Sequence, residues 1–364
     1  MTRCKQRRND VEGRIAVSGN TKAVALALSF GAVAALVWRP QRTPPADRLY
    51  VSGEESGMVA VIDLGSEQLL AQIHAGKRPR GVHVSPDGKT VYVALSGSAN
   101  MGPGLGQREG ATADKSADGI GVIDVAENKL VRTLPSGSDP EQLAVTADSQ
   151  TLYVSNEDTA QLTVVDAAKG EIIRSVSVGT EPEGVALSPD GTMAFVTSET
   201  NNRVDVVNTV SGELLGSVAV GLRPRAIAVF RDARRALVTL EDAASVALID
   251  PVGRKVIKTV TLPGDNIRPM GVALSPDERT AYVTTGRGRK LFALTGDTLV
   301  ERWSVEVGDR PWGVAVSPDG AKVYTANGSS NDVSVVDVEA QKVVARIPVP
   351  GRPWGLAIRH ATTP

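Results

Sequence analysis

Short segments in which apolar and polar residues alternate recur along most of the chain, separated by turns rich in Gly, Pro, Asp and Ser. Alternation with a period of two is typical of β-strands that bury one face. In one regular repeat, a Ser-Pro-Asp-Gly turn at 317–320 joins the first two segments. The four segments of that repeat are Gly313–Ser317, Lys322–Ala326, Val333–Val338 and Lys342–Val349. The pattern therefore predicts units of four short strands.

Two independent markers give the period of these units. Prolines of a recurring phrase, Gly-x-x-Pro in its commonest form, are spaced by 61, 42, 42, 45, 42 and 42 residues: Pro79, Pro140, Pro182, Pro224, Pro269, Pro311 and Pro353. The residues that end each Val-x-Val-Ile-Asp segment give gaps of 61, 42, 42, 42, 45 and 42: Asp63, Asp124, Asp166, Asn208, Asp250, Thr295 and Asp337. A four-stranded unit of about forty residues is a propeller blade. Seven copies predict seven blades.

The two ends of the repeat region are incomplete in complementary ways. A single strand, Pro353–His360, begins the seventh repeat, and three strands precede the first one: Arg48–Gly53, Met58–Leu64 and Gln68–Ala75. Pairing the two fragments closes the ring and removes its open edges. We therefore predict an all-β fold, a seven-bladed β-propeller of four-stranded blades over 48–360. Its last blade is built from both ends, and a short tail follows at 361–364.

The first 47 residues have a different character. Residues 1–22 are rich in Arg and Lys, residues 23–38 are an uncharged run rich in Ala, Val and Leu, and residues 39–47 are rich in proline. A basic region followed by an apolar core is typical of a signal peptide or signal anchor, and the charge bias places the basic end in the cytoplasm. We expect a periplasmic domain, tethered to the inner membrane or secreted, with 39–47 as a stiff linker. Whether the segment is cleaved stays open.

The second strands carry a resemblance to a known family. The phrases concerned are Tyr50-Val-Ser, Tyr92-Val-Ala, Tyr153-Val-Ser-Asn156, Phe195-Val-Thr, Tyr282-Val-Thr and Tyr324-Thr-Ala-Asn327. They resemble the YVTN-repeat family of exported β-propellers. The stretches 118–124 and 310–320 are similar, more narrowly, to propellers associated with pyrroloquinoline-quinone-dependent catabolism in bacteria. The resemblance implies export and a role accessory to periplasmic quinoprotein-linked oxidation, and it implies no particular reaction.

The amino-acid composition argues against several classes of function. The chain has 40 Lys and Arg against 41 Asp and Glu, a net charge of −1, so its overall charge favours neither nucleic acid nor anionic lipid. Cys4 is the one cysteine, which excludes an internal disulfide and a Cys-x-x-Cys metal site. Three histidines, His74, His83 and His360, leave little material for a catalytic triad. The sequence identifies no cofactor.

The loop before the first strand of each blade should open at the mouth of the central channel, where function usually lies. The residues that flank each proline would ring that mouth, in two acidic and five basic sectors. We predict that the ligand-binding residues are Arg78, Arg80, Arg223, Arg225, Arg268, Arg310, Trp312, Arg352 and Trp354, together with His83. Arginine binds carboxylate or phosphate, and tryptophan offers a stacking face. The alternative is that these charges pair across neighbouring blades, as Glu183 and Arg225 would.

Two further features lie near the mouth. His83 replaces the alanine found in the other six copies, which makes it a candidate ligand contact or a packed histidine. The 19 extra residues of the first repeat fall within 95–118, a flap or a tolerated surface loop.

These observations favour an exported, non-catalytic binding or scaffold protein that recognises a small anionic ligand or a periplasmic protein partner at the channel mouth. Two alternatives stay open. A metal-assisted lactonase, hydrolase or lyase would hold a divalent cation on four acidic residues of the mouth: Asp139, Glu141, Glu181 and Glu183. Single-stranded nucleic acid would instead bind the arginines and tryptophans.

Overall fold

A computed structural model of the protein describes residues 47–98 and 113–361. The basic region 1–22, the apolar run 23–38, residues 39–46 of the linker, most of the 95–118 insertion and residues 362–364 lie outside the described residues. Within the two described ranges, no helix is long and apolar enough to cross a membrane. The same ranges contain two short 3₁₀ helices, at Lys115–Ala117 and Gly286–Gly288.

The described strands form seven antiparallel sheets of four strands each, so the predicted seven-bladed propeller is confirmed. The first strands are β1 (Arg48–Gly53), β2 (Met58–Asp63) and β3 (Gln68–His74). Blade 1 contains β4 (Pro79–Val84), β5 (Thr90–Leu95), β6 (Gly119–Asp124) and β7 (Lys129–Leu134). Blade 2 contains β8 (Pro140–Val145), β9 (Thr151–Asn156), β10 (Gln161–Asp166) and β11 (Glu171–Ser177). Blade 3 contains β12 (Pro182–Leu187), β13 (Met193–Ser198), β14 (Arg203–Asn208) and β15 (Leu214–Ala219).

The remaining blades follow the same order. Blade 4 contains β16 (Pro224–Val229), β17 (Ala236–Leu240), β18 (Ser245–Asp250) and β19 (Lys255–Thr261). Blade 5 contains β20 (Val272–Leu274), β21 (Thr280–Thr284), β22 (Lys290–Thr295) and β23 (Glu301–Glu306). Blade 6 contains β24 (Pro311–Val316), β25 (Lys322–Asn327), β26 (Asp332–Asp337) and β27 (Lys342–Pro348). The last strand, β28 (Pro353–Arg359), pairs with β1 and completes blade 7 in the order β28-β1-β2-β3.

The hydrophobic core lies between neighbouring blades. Tyr50 and Val59 of blade 7 pack with Val91 and Val93 of blade 1 in one buried cluster, and the same kind of contact recurs around the ring. Each blade therefore buries its apolar residues against the next one, as alternating strands predict. The innermost strands β28, β4, β8, β12, β16, β20 and β24 contact one another in that order and enclose the channel.

A bulge follows the first proline in six of the innermost strands, for example between Pro182 and Val185. The bulge takes the N–H of Gly184 out of the ladder, and the hydroxyl of Thr197 on the second strand accepts it at 2.7 Å. The same hydroxyl donates to the carbonyl oxygen of Arg225 in the next blade at 2.6 Å. One side chain thus joins two strands of its own blade and the next blade. Equivalent hydroxyls in other blades are Ser52, Ser155, Thr239 and Thr284.

In five of the seven repeats a glycine stands two residues after this proline, and the structure gives a steric reason for it. A Cβ on Gly355 would lie 2.6 Å from the carbonyl oxygen of Arg80, and one on Gly81 would lie 2.7 Å from that of Glu141. The backbones of neighbouring innermost strands therefore approach too closely for a larger residue at these two positions.

Candidate functional site

The loops of all seven blades form a funnel of about 680 Å³ at one end of the channel. It leads to a lower chamber of about 190 Å³ that the innermost strands enclose. Four residues line both spaces and form the floor between them: Glu183, Arg225, Met270 and Trp312.

Most of the residues predicted at the mouth do line the funnel: Arg78, Arg80, Asp139, Glu183, Arg223, Arg225, Arg268, Met270, Arg310, Trp312 and Arg352. Four other predicted residues lie elsewhere. Glu141 is fully buried beside Arg80, and Glu181 is half-buried and accepts a hydrogen bond from Thr200 at 2.5 Å. Trp354 is buried and faces the lower chamber with His83.

The residue before the proline has a positive φ in six blades, between 41° and 58°: Arg78, Asp139, Glu181, Arg223, Arg310 and Arg352. In blade 5 the positive φ falls instead on Asn266 of the longer loop. This backbone region is unfavourable for residues other than glycine and costs on the order of 1 kcal/mol each. Such strain persists where the surrounding structure fixes it and clusters at functional sites. Other turns of the ring contain residues with similar positive φ values, for example Asn128 and Arg254, so this conformation belongs to the repeat and does not by itself mark the funnel.

A dense ion-pair cluster forms one side of the funnel and part of its floor. Arg225 contacts Glu183 and Glu199, and its Nε lies 2.7 Å from Oε2 of Glu241. Arg223 Nε lies 2.6 Å from Glu199 and 3.3 Å from Glu241. Glu183 thus pairs with Arg225 across neighbouring blades, which is the alternative that the sequence left open. Arg223 and Arg225 are neutralised by the protein itself.

Three carboxyl groups in this cluster face two guanidinium groups, which leaves one carboxyl group without a balancing charge. Burial and then the charge of Glu183 raise the pKa of Glu199 to about 9. Burial alone would raise the pKa of Glu183, but the charges of Arg225 and Arg80 outweigh it and hold that pKa below its ordinary value. Glu199 therefore keeps its proton at neutral pH while Glu183 is ionised.

A second acidic group lies in blade 2. Carboxylate oxygens of Asp139, Glu141 and Glu157 lie within 4.8 Å of one another. Of the four residues predicted to hold a metal, the structure brings Asp139 and Glu141 together, with Glu157 as the third member in place of Glu181 and Glu183. Arg80 pairs with Glu141, and its Nη1 lies 3.9 Å from Glu157. Burial and the charge of Glu183 raise the pKa of Glu157 to about 7.

The two tryptophans of the mouth stack on each other. The ring centroids of Trp312 and Trp354 are 5.5 Å apart, with 29° between the planes. Arg80 lies over Trp354 with Cζ 5.1 Å from its ring centroid, and Cζ of Arg310 and of Arg225 lie 5.2 and 5.7 Å from that of Trp312. The indoles therefore stack with each other and with arginines of the protein, so the ring faces in these contacts are not available to a ligand.

The basic side of the funnel is formed by blades 5, 6 and 7. Arg268 pairs with Asp242, and Nη1 of Arg352 lies 3.6 Å from Glu55. Among the residues that the structure describes, no carboxylate lies within ion-pair distance of Arg310. Burial and then the charge of Arg352 lower the pKa of Arg310. This part of the funnel is electropositive.

His83 and Gln142 are polar side chains of the lower chamber. The imidazole of His83 is accessible to solvent in the channel, yet protein surrounds it on all sides. The surrounding blades keep bulk water away from the imidazole. This loss of solvation disfavours its charged form, although the side chain is accessible within the channel. Desolvation lowers its pKa to about 4, so His83 is neutral at pH 7.

Glu199 and Glu241 were not predicted from the sequence. Together with Glu157 they each follow a second strand at intervals of 42 residues, so the repeat period itself marks them. Gln142 occupies a position that is Gly or Ala in the other copies: Gly81, Gly184, Ala226, Gly271, Gly313 and Gly355. This departure from the repeat is the sequence feature that could have identified Gln142.

The chain is similar in sequence to a known family and in fold to several solved structures. The family model described as "Choice-of-anchor I domain" matches residues 6–223, and a search of curated protein sequences gave no match. A putative 6-phosphogluconolactonase from Bacteroides fragilis is 16% identical, with a TM-score of 0.71 over 88% of this chain and 99% of that one. A functionally unknown protein from Desulfotomaculum acetoxidans is 16% identical, with a TM-score of 0.72 over 86% and 99%. Hydrazine synthase from Kuenenia stuttgartiensis is 21% identical, with a TM-score of 0.62 over 77% and 89%. At such identities the likeness shows the fold alone.

Proposed function

The chain belongs to the Choice-of-anchor I domain family, and on that premise we propose that it is an exported β-propeller binding protein whose funnel recognises a small anionic ligand. The proposal is supported by an electropositive site inside the funnel. Of the arginines predicted from the sequence, Arg310 alone has no carboxylate within ion-pair distance among the described residues, and the proposal centres on it.

The observation that carries the proposal is the environment of Arg310. Its guanidinium is half-buried, lies over Trp312 and has Arg352 as a cationic neighbour. A buried charge needs a partner, since its desolvation is otherwise uncompensated. An anion in the funnel supplies that partner and relieves the repulsion between the two arginines.

The chemistry of the ligand follows from the donors. The guanidinium groups of Arg310, Arg352 and Arg287 all line this side of the funnel, and a guanidinium fork matches the two oxygens of a carboxylate or phosphate. Arg78, Arg80, Arg223 and Arg225 pair with carboxylates of the protein. We assign them to holding the funnel in shape.

Titration calorimetry with citrate and with inorganic phosphate tests this site. Binding should weaken as salt rises, and Arg310→Gln should weaken it by about tenfold, the loss of a charge-assisted hydrogen bond. Arg279→Gln is the matched control, because Arg279 is exposed and does not line the funnel. Binding that is indifferent to salt and to Arg310→Gln would contradict the proposal.

Export and the biological context are further parts of the proposal. The basic residues, the apolar run 23–38 and the proline-rich linker support export, and the second-strand phrases support an accessory role in quinoprotein-linked oxidation. A reporter phosphatase active only outside the cytoplasm, fused after Pro364, should be active. Genes for quinoprotein dehydrogenases beside this one would support the accessory role.

A metal-assisted lactonase, hydrolase or lyase is the second candidate. The acidic group of Asp139, Glu141 and Glu157 favours it, and the raised pKa of Glu157 suits acid–base chemistry. Against it, the guanidinium of Arg80 already supplies a cation beside two of the three carboxylates. Metal analysis of the purified protein decides between the two, since a stoichiometric divalent cation would favour the enzyme. An oligothymidine titration tests the nucleic-acid alternative in the same way.

A further inference from the structure

The lower chamber differs in chemistry from the funnel above it. Val82, Val185, Ile227, Val314 and Leu356 contribute apolar side chains to its wall, and other blades add further apolar groups. The charged side chains that line it, Glu183 and Arg225, pair with each other at the floor of the funnel. The described part of the chain therefore gives the chamber no net charge with which to attract an ion.

Two departures from the repeat meet in this chamber. His83 stands where the other six copies have alanine, and Gln142 stands where they have Gly or Ala. They lie on the innermost strands of adjacent blades, β4 and β8. Within residues 47–98 and 113–361, neither side chain hydrogen-bonds to a protein group, so the imidazole and the amide are available to a ligand. The quasi-symmetric ring thus has two irregular polar groups in one chamber, on adjacent blades.

Gly81 makes room for this arrangement. Oε1 of Gln142 lies 2.5 Å from the position that a Cβ would take on Gly81. A side chain at 81 would displace the amide from its present position in the chamber. Gly81 therefore leaves space for the side chain of Gln142 and also allows the close approach of the two strands.

The size of the chamber limits the ligand. Its volume is about 190 Å³, and an apolar cavity of about 150 Å³ accommodates benzene. Trp312 and Trp354 also line the space, and ring compounds pack well against indoles. An ionised ligand would lose its hydration without gaining a counter-charge.

We propose that the lower chamber binds a small uncharged ring compound with one hydroxyl group, the hydroxyl facing His83 and Gln142 and the ring facing the apolar wall. Phenol is the simplest member of this class. The neutral imidazole and the amide each offer a donor and an acceptor for the hydroxyl. This site is separate from the anion site of the funnel and does not rest on it.

Imidazole resonances of ¹⁵N-labelled protein, titrated with phenol, test the proposal directly. The chain has three histidines, of which His74 and His360 are exposed outside the chamber. Phenol should shift the resonances of His83 and leave those of His74 unchanged. His83→Ala and Gln142→Gly restore the residues of the other repeats, so the fold should be kept. Each should weaken phenol binding by roughly three- to tenfold, measured by calorimetry, while His74→Ala should have no effect.

Two further probes define the ligand class. Benzene lacks the hydroxyl and should bind equally to the unmodified protein and to His83→Ala. Benzoate should bind to the chamber much more weakly than phenol. Phenol affinity should also be the same in Arg310→Gln, which separates the chamber from the anion site. Failure of phenol to shift His83, equal phenol affinity in the His83→Ala and Gln142→Gly double variant, or benzoate binding as tightly as phenol would overturn the proposal.

Discussion

Gly355 donates its backbone N–H to the hydroxyl of Ser52 at 2.9 Å, although the two residues are 303 positions apart in the chain. The same hydroxyl donates to the carbonyl oxygen of Arg80 at 2.5 Å. Ser52 therefore connects the C-terminal strand β28, the N-terminal strand β1 and blade 1. Pairing between the first and last strands, β1 and β28, therefore closes the ring.

Deletion of residues 353–364 should destabilise the whole ring, because it removes β28 and exposes strand edges of blade 7 and apolar surface of its neighbours. We expect the melting temperature to fall by at least about 10 °C, followed by circular dichroism. Deletion of 362–364 alone is the control. An unchanged melting temperature for the longer deletion would show that closure contributes nothing.

Much of this architecture could be predicted from sequence because its causes are local. Alternation gives strands, turn residues separate them, and one period relates seven copies. The charge state of the mouth could not be predicted in this way. Arg223 and Arg310 both precede a proline, yet Arg223 lies 2.6 Å from Glu199 and Arg310 lies over Trp312. The difference depends on which loop of a neighbouring blade reaches each arginine, and that is a property of the assembled ring.

The hydroxyl of Thr197, which bridges two blades, should contribute more to the free energy of unfolding than a surface hydrogen bond does. Thr197→Val keeps the shape of the side chain but leaves the N–H of Gly184 and the carbonyl of Arg225 without this partner. Buried polar groups left unpaired cost roughly 1–3 kcal/mol, so the free energy of unfolding in urea should fall by about that amount. Thr197→Ser retains the hydroxyl and should lose less. Equal losses for the two variants would mean that packing, and not the hydrogen bonds, is responsible.

The stacked indoles should contribute to stability. Trp354 is buried between Trp312 and Arg80, and truncating a buried aromatic residue to alanine costs about 3–5 kcal/mol. Trp354→Ala should therefore lower the free energy of unfolding by about that amount, measured by denaturant titration. Trp303→Ala, on the outermost strand β23 and half-buried, is the matched control and should cost less. A loss for Trp354→Ala no larger than that of the control would place the indole outside the packed core.

The proton on Glu199 makes stability depend on pH. The ordinary pKa of this carboxyl is 4.5, and in the folded protein it is about 9. Between these values the folded state binds a proton that the unfolded state does not, so stability falls as pH rises towards and through 9. The contribution is fully present below 4.5. Glu157, with a folded pKa of about 7, acts in the same direction at lower pH.

A comparison between pH 7 and 9 isolates Glu199, because Glu157 changes mainly below this window and His83, with its pKa lowered to about 4, is neutral throughout it. Glu199→Gln mimics the protonated carboxyl at every pH. Its free energy of unfolding should therefore decline less between pH 7 and 9 than that of the unmodified protein, and it should be the more stable of the two at pH 9. Glu213→Gln, an exposed residue of the same blade, should leave the pH dependence unchanged. An equal decline in the free energy of unfolding for Glu199→Gln and the unmodified protein would contradict this. Glu199 would then be ionised beside Arg223 and Arg225, and another carboxyl group of the cluster would hold the proton.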